Sequence, residues 1–232
     1  VTSVDRGVTH GDVGGGGDLE AGAFGMWVTQ MRESIDGDHG SDVPCGTCTA
    51  CCTSSQFIHI TPDETDTLAH IPKALLFPAP RLPEGHVLMP YNDRGHCPML
   101  IDFECSIYEH RPMTCRTYDC RIFPAAGLKI DEPDKGLIAA QTQRWRFQYP
   151  ATGDETRHHA VTAAGSFLRD HVEMLEQIGL PTNTTQLAVL AVEFHDLFIG
   201  QHDDGTATTL RLPEVQGVRV ELTRRVDARR RR

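Results

Sequence analysis

Cysteine is concentrated in this chain in a way that few chemistries use. All eight cysteines lie in two stretches: Cys45-Gly-Thr-Cys48-Thr-Ala-Cys51-Cys52 and, about forty residues on, Cys97 through Cys120. The first reads C-x2-C-x2-C-C and the second C-x7-C-x9-C-x4-C. Four thiolates close one tetrahedral zinc site or hold one iron–sulfur cluster. The cysteines therefore suffice for two metal centres, or for one centre with thiols to spare. A C-x2-C pair is the usual two-ligand knuckle, whereas C-x2-C-x2-C also grips three corners of a cubane cluster. Spacing alone leaves zinc and iron both open. Adjacent Cys51 and Cys52 point different ways in most backbone conformations, so they serve different centres or one of them is not a ligand. A quartet drawn from one stretch alone would be awkward at that pair. The expectation is that residues 45 to 52 pack against residues 97 to 120 around shared metal.

The residues around the thiols suit that chemistry. Gly46, Thr47, Thr49 and Ala50 are small, so the backbone can wrap closely and turn amides toward sulfur. Arg94, Arg111, Arg116 and Arg121 crowd the second stretch of an otherwise acidic chain. A four-thiolate zinc centre has a formal charge of about -2, which guanidinium groups would offset, although each arginine taken singly also suits an ordinary surface ion pair. His96 and His110 are of ligand type, but with enough thiols present they read as surface or outer-sphere residues. Tyr108 and Tyr118 could donate to sulfur, with packing and a satisfied hydroxyl as the default.

The whole chain narrows the classes. Its 232 residues are 39% hydrophobic, enough for an ordinary core, with a net charge of -10 and a pI near 5.6. That charge argues against nucleic-acid or membrane binding by the body of the protein. The basic end, Arg224 to Arg232, reads as a solvated tail and is the one feature through which nucleic acid could be touched. The longest apolar run of the C-terminal half, Leu187 to Val192, is too short to span a bilayer, and the first thirty residues lack a signal pattern. The expected location is cytoplasmic, where thiols stay reduced, so clustered cysteines point to metal before disulfides.

Several elements must position these thiols. Residues 1–18, with the glycine run Gly14 to Gly17, are expected to be disordered. Leu19, Ala23, Trp27, Met31 and Ile35 recur at helical spacing and predict a helix over 19–35, or over its latter half. Gln56 to Ile60 reads as a strand, and Thr61-Pro-Asp-Glu64 as a capping box opening a helix that Pro72 ends. Phe77 to Pro90 carries four prolines and reads as a loop packed by Leu82, Val87 and Leu88. Cys97 and Cys105 flank a predicted small hairpin with an acidic turn. Helices are expected over Leu137 to Tyr149, along the stripe Val161 to Ile178, and through Leu187 to Phe198 with Thr184 or Thr185 as cap. Thr206 to Leu212 and Val215 to Leu222 alternate like a terminal hairpin. His158, His159, His171, His195 and His202 read as solvent-facing, with a metal-binding His195-Asp196 pair as the sharper option. Phosphate loop, hydrolase elbow and paired-carboxylate motifs do not appear, so no catalytic residue is assigned and enzyme activity is left open.

The ordered set C-x2-C-x2-C-C, T-P-D-E, H-C-P-M-L and C-S-I-Y-E-H-R-P-M-T-C-R-T-Y-D-C, over about residues 43 to 122, resembles the YkgJ-type cysteine-cluster family of zinc- or iron-chelating domains. The resemblance implies metal chelation by Cys45, Cys48, Cys51, Cys52, Cys97, Cys105, Cys115 and Cys120. It brings no established reaction with it. A more distant similarity is to flagellin lysine N-methylases, which have a comparable cluster and iron–sulfur chemistry, although nothing here matches a methyl-donor site.

The expected architecture is α+β and helix-rich: an irregular, metal-stapled cysteine module with short strands, braced by C-terminal helices. Its segments are a disordered 1–18, the module over 19–150, a helical bracing region with terminal hairpin over 151–222, and a basic tail over 223–232. The expected function is binding of zinc or iron, the latter including a 4Fe-4S cluster, as a structural binding module or in metal handling. An iron–sulfur-dependent modifying enzyme is the alternative. The metal ion is the expected partner, and a protein partner is left open.

Overall fold

A computed structural model describes residues 17–37, 40–41, 43–54, 57–201 and 208–230. The elements run β1 (Leu19–Ala23), α1 (Phe24–Asp36), β2 (Phe57–Ile60), α2 (Thr65–His70), β3 (Phe77–Pro78), β4 (Val87–Pro90), β5 (Leu100–Ile101), β6 (Glu104–Cys105), α3 (Met113–Thr117) and α4 (Ile122–Ala125). They continue as α5 (Gly136–Thr142), β7 (Trp145–Gln148), α6 (Asp154–Asp170), α7 (Val172–Gln177), α8 (Thr184–Phe194), β8 (Ile199–Gln201), β9 (Thr208–Leu210) and α9 (Val215–Arg230). The fold is α+β and helix-rich, its strands confined to small separate sheets.

Two hydrophobic cores organise it. The larger is helical: Phe24, Trp27 and Val28 of α1 meet Val161, Ala164 and Leu168 of α6, with α4, α8 and α9 closing around them. Gly165 lets α6 approach α4 closely, because a methyl there would land on the Ala126 carbonyl oxygen. The smaller core is Ile58, Ile60, Ile71, Met89, Cys97, Met99 and Ile107. It lies under the antiparallel sheet β2-β4-β3, in which Ile58 faces Met89. Seven buried side chains are few for a self-sufficient core. Its edge is completed by Cys52, Cys105 and Cys115.

Several expected elements hold. Phe57–Ile60 is a strand, and Glu64 reaches back to the Thr61 amide at 2.9 Å. The helix after it starts one turn later than a Thr61 cap would give, at Thr65, and ends before Pro72. Cys97 and Cys105 do flank a hairpin, β5-β6, turned by Asp102 and Phe103, both at positive φ.

Other expectations are corrected. The start of the 19–35 helix is instead strand β1, with Gly22 at φ 88, and it pairs in parallel with β7. That pairing takes Trp145 to Gln148 out of the helix expected over 137–149, since a long-range backbone ladder outweighs local propensity. The proline-rich 77–90 segment contributes β3 and β4, its prolines sitting where a ladder amide is dispensable. Leu82 is 47% exposed and does not pack that segment. The 161–178 stripe breaks at His171 into α6 and α7. The side chain capping α8 is Asn183, which accepts from the Gln186 amide at 3.1 Å, rather than Thr184 or Thr185.

The terminal hairpin is displaced: β8 pairs with β9, whereas 215–222 begins the helix α9. Val218 and Leu222, four apart, are buried against the larger core, and this helical period prevails over the alternation of Val218, Val220 and Leu222. The expected basic tail is the second half of that helix as far as Arg230. Arg225 reaches Asp196 at 2.7 Å and Glu221 at 2.6 Å. His195 is buried rather than solvent-facing: its Nδ1 bonds the Val192 carbonyl at 2.7 Å, and burial pushes its pKa down. His158 stacks on Phe24 at 4.3 Å and His171 on Phe167 at 4.2 Å. Residues 1–16, His202 and the last two arginines lie outside the described residues. Among the described residues no helix is long and apolar enough to cross a membrane.

Candidate metal centre

The first cysteine stretch is a pair of tight turns. The Cys48 amide bonds the Cys45 carbonyl at 3.0 Å, and the Cys52 amide bonds the Thr49 carbonyl at 2.9 Å. Gly46 takes φ 55 in the first turn, a conformation that favours glycine. A single 3₁₀ turn over Ala50–Thr53 then separates the directions of Cys51 and Cys52. The Cys97 amide donates to the Cys52 carbonyl at 2.7 Å, which joins the two stretches backbone to backbone.

The eight thiols, all reduced, sort into two groups by the neighbours whose charge acts on them. On Cys51 these are first Cys120 and Cys45, then Cys52 and Cys48. Cys120 in turn feels Cys45 and Cys48, and Cys45 feels Cys48. On Cys52 they are first Cys97 and Cys105, and on Cys115 they are Cys97, Cys52 and Cys105. Cys45, Cys48, Cys51 and Cys120 thus form one quartet of neighbours and Cys52, Cys97, Cys105 and Cys115 another, the two meeting where Cys52 acts on Cys51 and where Cys48 and Cys45 act on Cys52. Each takes members from both stretches. The first borders the larger core through Cys48 and Cys120, and the second borders the smaller core. Among the described residues no three of the sulfurs lie within 4.8 Å of one another.

Burial dominates the electrostatics. It pushes the Cys45 thiol up to about 11 and those of Cys52, Cys115 and Cys120 up to about 12, with neighbouring thiolates adding to the rise. Cys51 and Cys97 are raised for the same leading reason. A buried thiol group of this kind stays protonated at neutral pH unless a cation compensates the charge. Groups that favour thiolate are also in place. The Met99 and Leu100 amides bond the Cys97 sulfur, and Trp145 Nε1 donates to Cys120 Sγ at 3.2 Å. Arg111 acts favourably on both Cys45 and Cys115, so it faces the two quartets together.

Of the four arginines singled out from the sequence, Arg111 and Arg121 act on the thiols. Arg121 is buried, with its Nε 3.0 Å from Asp119 Oδ1 and its terminal nitrogen 2.8 Å from Oδ2. Trp27 and Ser41 also donate to Asp119, at 2.9 and 2.8 Å. Arg94 is exposed, and Arg116 backs onto Gly40. His96 is half-buried, and His110 bonds Asp66. Tyr108 is exposed beneath the Arg111 guanidinium at 3.6 Å. Tyr118 sits beside Cys51 and Cys120, where burial pushes its phenol up. Trp145, Asp119 and Tyr91, whose hydroxyl bonds the Cys51 carbonyl at 2.8 Å, were not legible as site residues. Asp119 carries a local signal, standing beside Cys120 with Arg121 two residues on. Trp145 and Tyr91 come from outside the cysteine stretches.

The donor set fits a metal: thiols gathered from both stretches, amide and indole donors aimed at two of them, and guanidinium charge beside them. Residues 44–143 match the family CxxCxxCC, described as "Putative zinc- or iron-chelating domain". That match spans under half of the chain and marks those residues as similar to the family. The resemblance read from the cysteine spacing was to the same kind of chelating domain. The matched segment begins at the residue before Cys45 and ends just after α5, so it contains every cysteine. Trp145 and the helices α6 to α9 lie beyond its end. No curated protein and no solved structure matches the chain.

Proposed function

We propose that the chain is a two-centre metal–thiolate protein. Cys45, Cys48, Cys51 and Cys120 hold one centre, and Cys52, Cys97, Cys105 and Cys115 hold the other. The observation that carries this is the division of the thiols between the cores: Cys48 and Cys120 lie at the larger, and Cys52, Cys97, Cys105 and Cys115 at the smaller, while Cys51 has Cys120 and Cys45 as its foremost thiol neighbours. Cys51 and Cys52, adjacent in sequence, are divided between the centres, which accounts for the otherwise awkward C-C pair.

The C-x2-C-x2-C run of Cys45, Cys48 and Cys51 favours an iron–sulfur cluster over a single zinc ion, since that run also grips three corners of a cubane. Four thiolates per centre leave no protein-side vacancy for a substrate, so the role is structural or electron-carrying rather than Lewis-acid catalysis. The net charge of -10 and the absence of a membrane-spanning helix among the described residues are compatible with a metal module that acts in solution.

Iron, zinc and acid-labile sulfide analysis of anaerobically purified protein, with its visible spectrum, tests the reading. Expected is a brown protein from which Cys48→Ser removes about half of the iron and Cys115→Ser removes the other half. Stoichiometric zinc without sulfide would replace iron and leave the quartets standing. Retention of full metal content by either serine variant would overturn the assignment of its quartet.

A further inference from the structure

A second kind of metal donor set lies away from the sulfurs. Helix α2 carries Asp66 and His70 four residues apart, hence on one face. The 3₁₀ turn Tyr108–His110 packs against that helix and lays the His110 imidazole flat on His70, ring centroids 3.5 Å apart and planes 5° from parallel. His110 Nδ1 is 2.7 Å from Asp66 Oδ2, and His70 Nδ1 is 3.8 Å from Asp66 Oδ1. One ligand atom from each of the three residues lies within 4.8 Å of the other two, and among the described residues this is the one group of three histidine, cysteine or acidic side chains that converges so closely.

We propose that Asp66, His70 and His110 form a binding site for a borderline divalent transition metal, Zn²⁺ or Ni²⁺, separate from the thiolate quartets. The ligands are the two imidazole Nδ1 atoms and the Asp66 carboxylate, whose Oδ2 faces His110 and whose Oδ1 faces His70. A metal with bonds of about 2.1 Å holds neighbouring ligand atoms about 3.0 to 3.5 Å apart, and the observed separations of 2.7 and 3.8 Å bracket that range. The mixed nitrogen and oxygen set suits such ions, whereas calcium or magnesium takes oxygen alone. The side chains are reachable, at 41% exposed for His70, 37% for His110 and 71% for Asp66. With three protein ligands the remaining coordination positions go to water. Binding displaces the proton that His110 now shares with Asp66 and the one that His70 Nδ1 donates to the Asp66 carbonyl at 2.8 Å.

His110 lies midway between Cys105 and Cys115 on the chain, so an ion here sits on the segment that supplies two thiols of the second quartet. The site is nevertheless counted separately from the quartets. The test is equilibrium dialysis of Zn²⁺ against full-length protein with its isolated metal content intact, scoring only zinc taken up above that content. Expected is about one added equivalent, with affinity at least about tenfold weaker in His110→Gln and in His70→Gln. Circular dichroism of both variants should be unchanged, because the substituted side chains are exposed. Added zinc retained at unchanged affinity by both variants, or none taken up by the parent protein, would overturn the site. Neither result depends on which metal fills the thiols.

Discussion

The two quartets differ most in what touches the sulfur. Cys120 accepts from an indole, while Cys97 accepts from main-chain amides that only a proline substitution would remove. Trp145→Phe keeps most of the buried aromatic surface and deletes the N–H donor to Cys120. Loss of an outer partner of this kind speeds metal loss by about tenfold. Metal released to a chelator should accordingly become biphasic, faster from the Cys120 quartet and unchanged from the Cys52 quartet. A single unchanged phase would show that the indole bond does not hold that centre. At this scale the sequence was legible where residue type and spacing alone carry the resemblance, as with the cysteine runs inside the segment that matches the chelating-domain family. It was illegible where a partner arrives through tertiary structure. Nothing near Trp145 marks it as a sulfur donor until β7 pairs with β1 and swings it over Cys120. His195 misled for the converse reason: a polar type was read as exposed, yet a carbonyl satisfies it inside the core.

Elements were readable where one local period dominated. The strand Phe57–Ile60, the stop before Pro72 and the β5-β6 hairpin each follow from a handful of adjacent residues. Elements settled by distant pairing or by packing against the larger core were not. Val215 to Leu222 can be written as alternation or as a helical stripe, and only burial of Val218 and Leu222 decides for the helix. Two glycines test how such packing sets the sign of a substitution. Gly165 in α6 faces the Ala126 backbone, which cannot swing aside, so Gly165→Ala should destabilise by about 1 to 3 kcal/mol despite its gain in helix propensity. Gly217 in α9 meets nothing within 4 Å, so Gly217→Ala should stabilise by about 0.5 to 1 kcal/mol. Urea unfolding of both variants measures the contrast. Equal signs would mean that α6 and α4 are not in the contact described.

Across the whole molecule, protons and metal compete for the same buried sulfurs. In ion-free protein the thiol pKa values of Cys45, Cys52, Cys115 and Cys120 rise from 9.0 to about 11 or 12, and Cys51 and Cys97 are raised as well. Between those values the folded chain binds more protons than the unfolded one. Ion-free stability is therefore full below about pH 9 and is lost as pH climbs toward 12. Metal loading runs the other way, because each ligand must surrender its proton. Each quartet contains three of the six raised thiols, so filling it at pH 7 should release about three or more protons. Its apparent affinity should then rise about a thousandfold per pH unit across the neutral range. The small core would feel this most, since its few apolar side chains are closed at the edge by Cys52, Cys105 and Cys115. Zn²⁺ titrated into reduced, ion-free protein in a weakly buffered indicator solution counts the protons directly, and chelator competition at two neutral pH values gives the slope. Release of fewer than about one proton per ion would mean that the thiols had already ionised, and that burial does not set their charge.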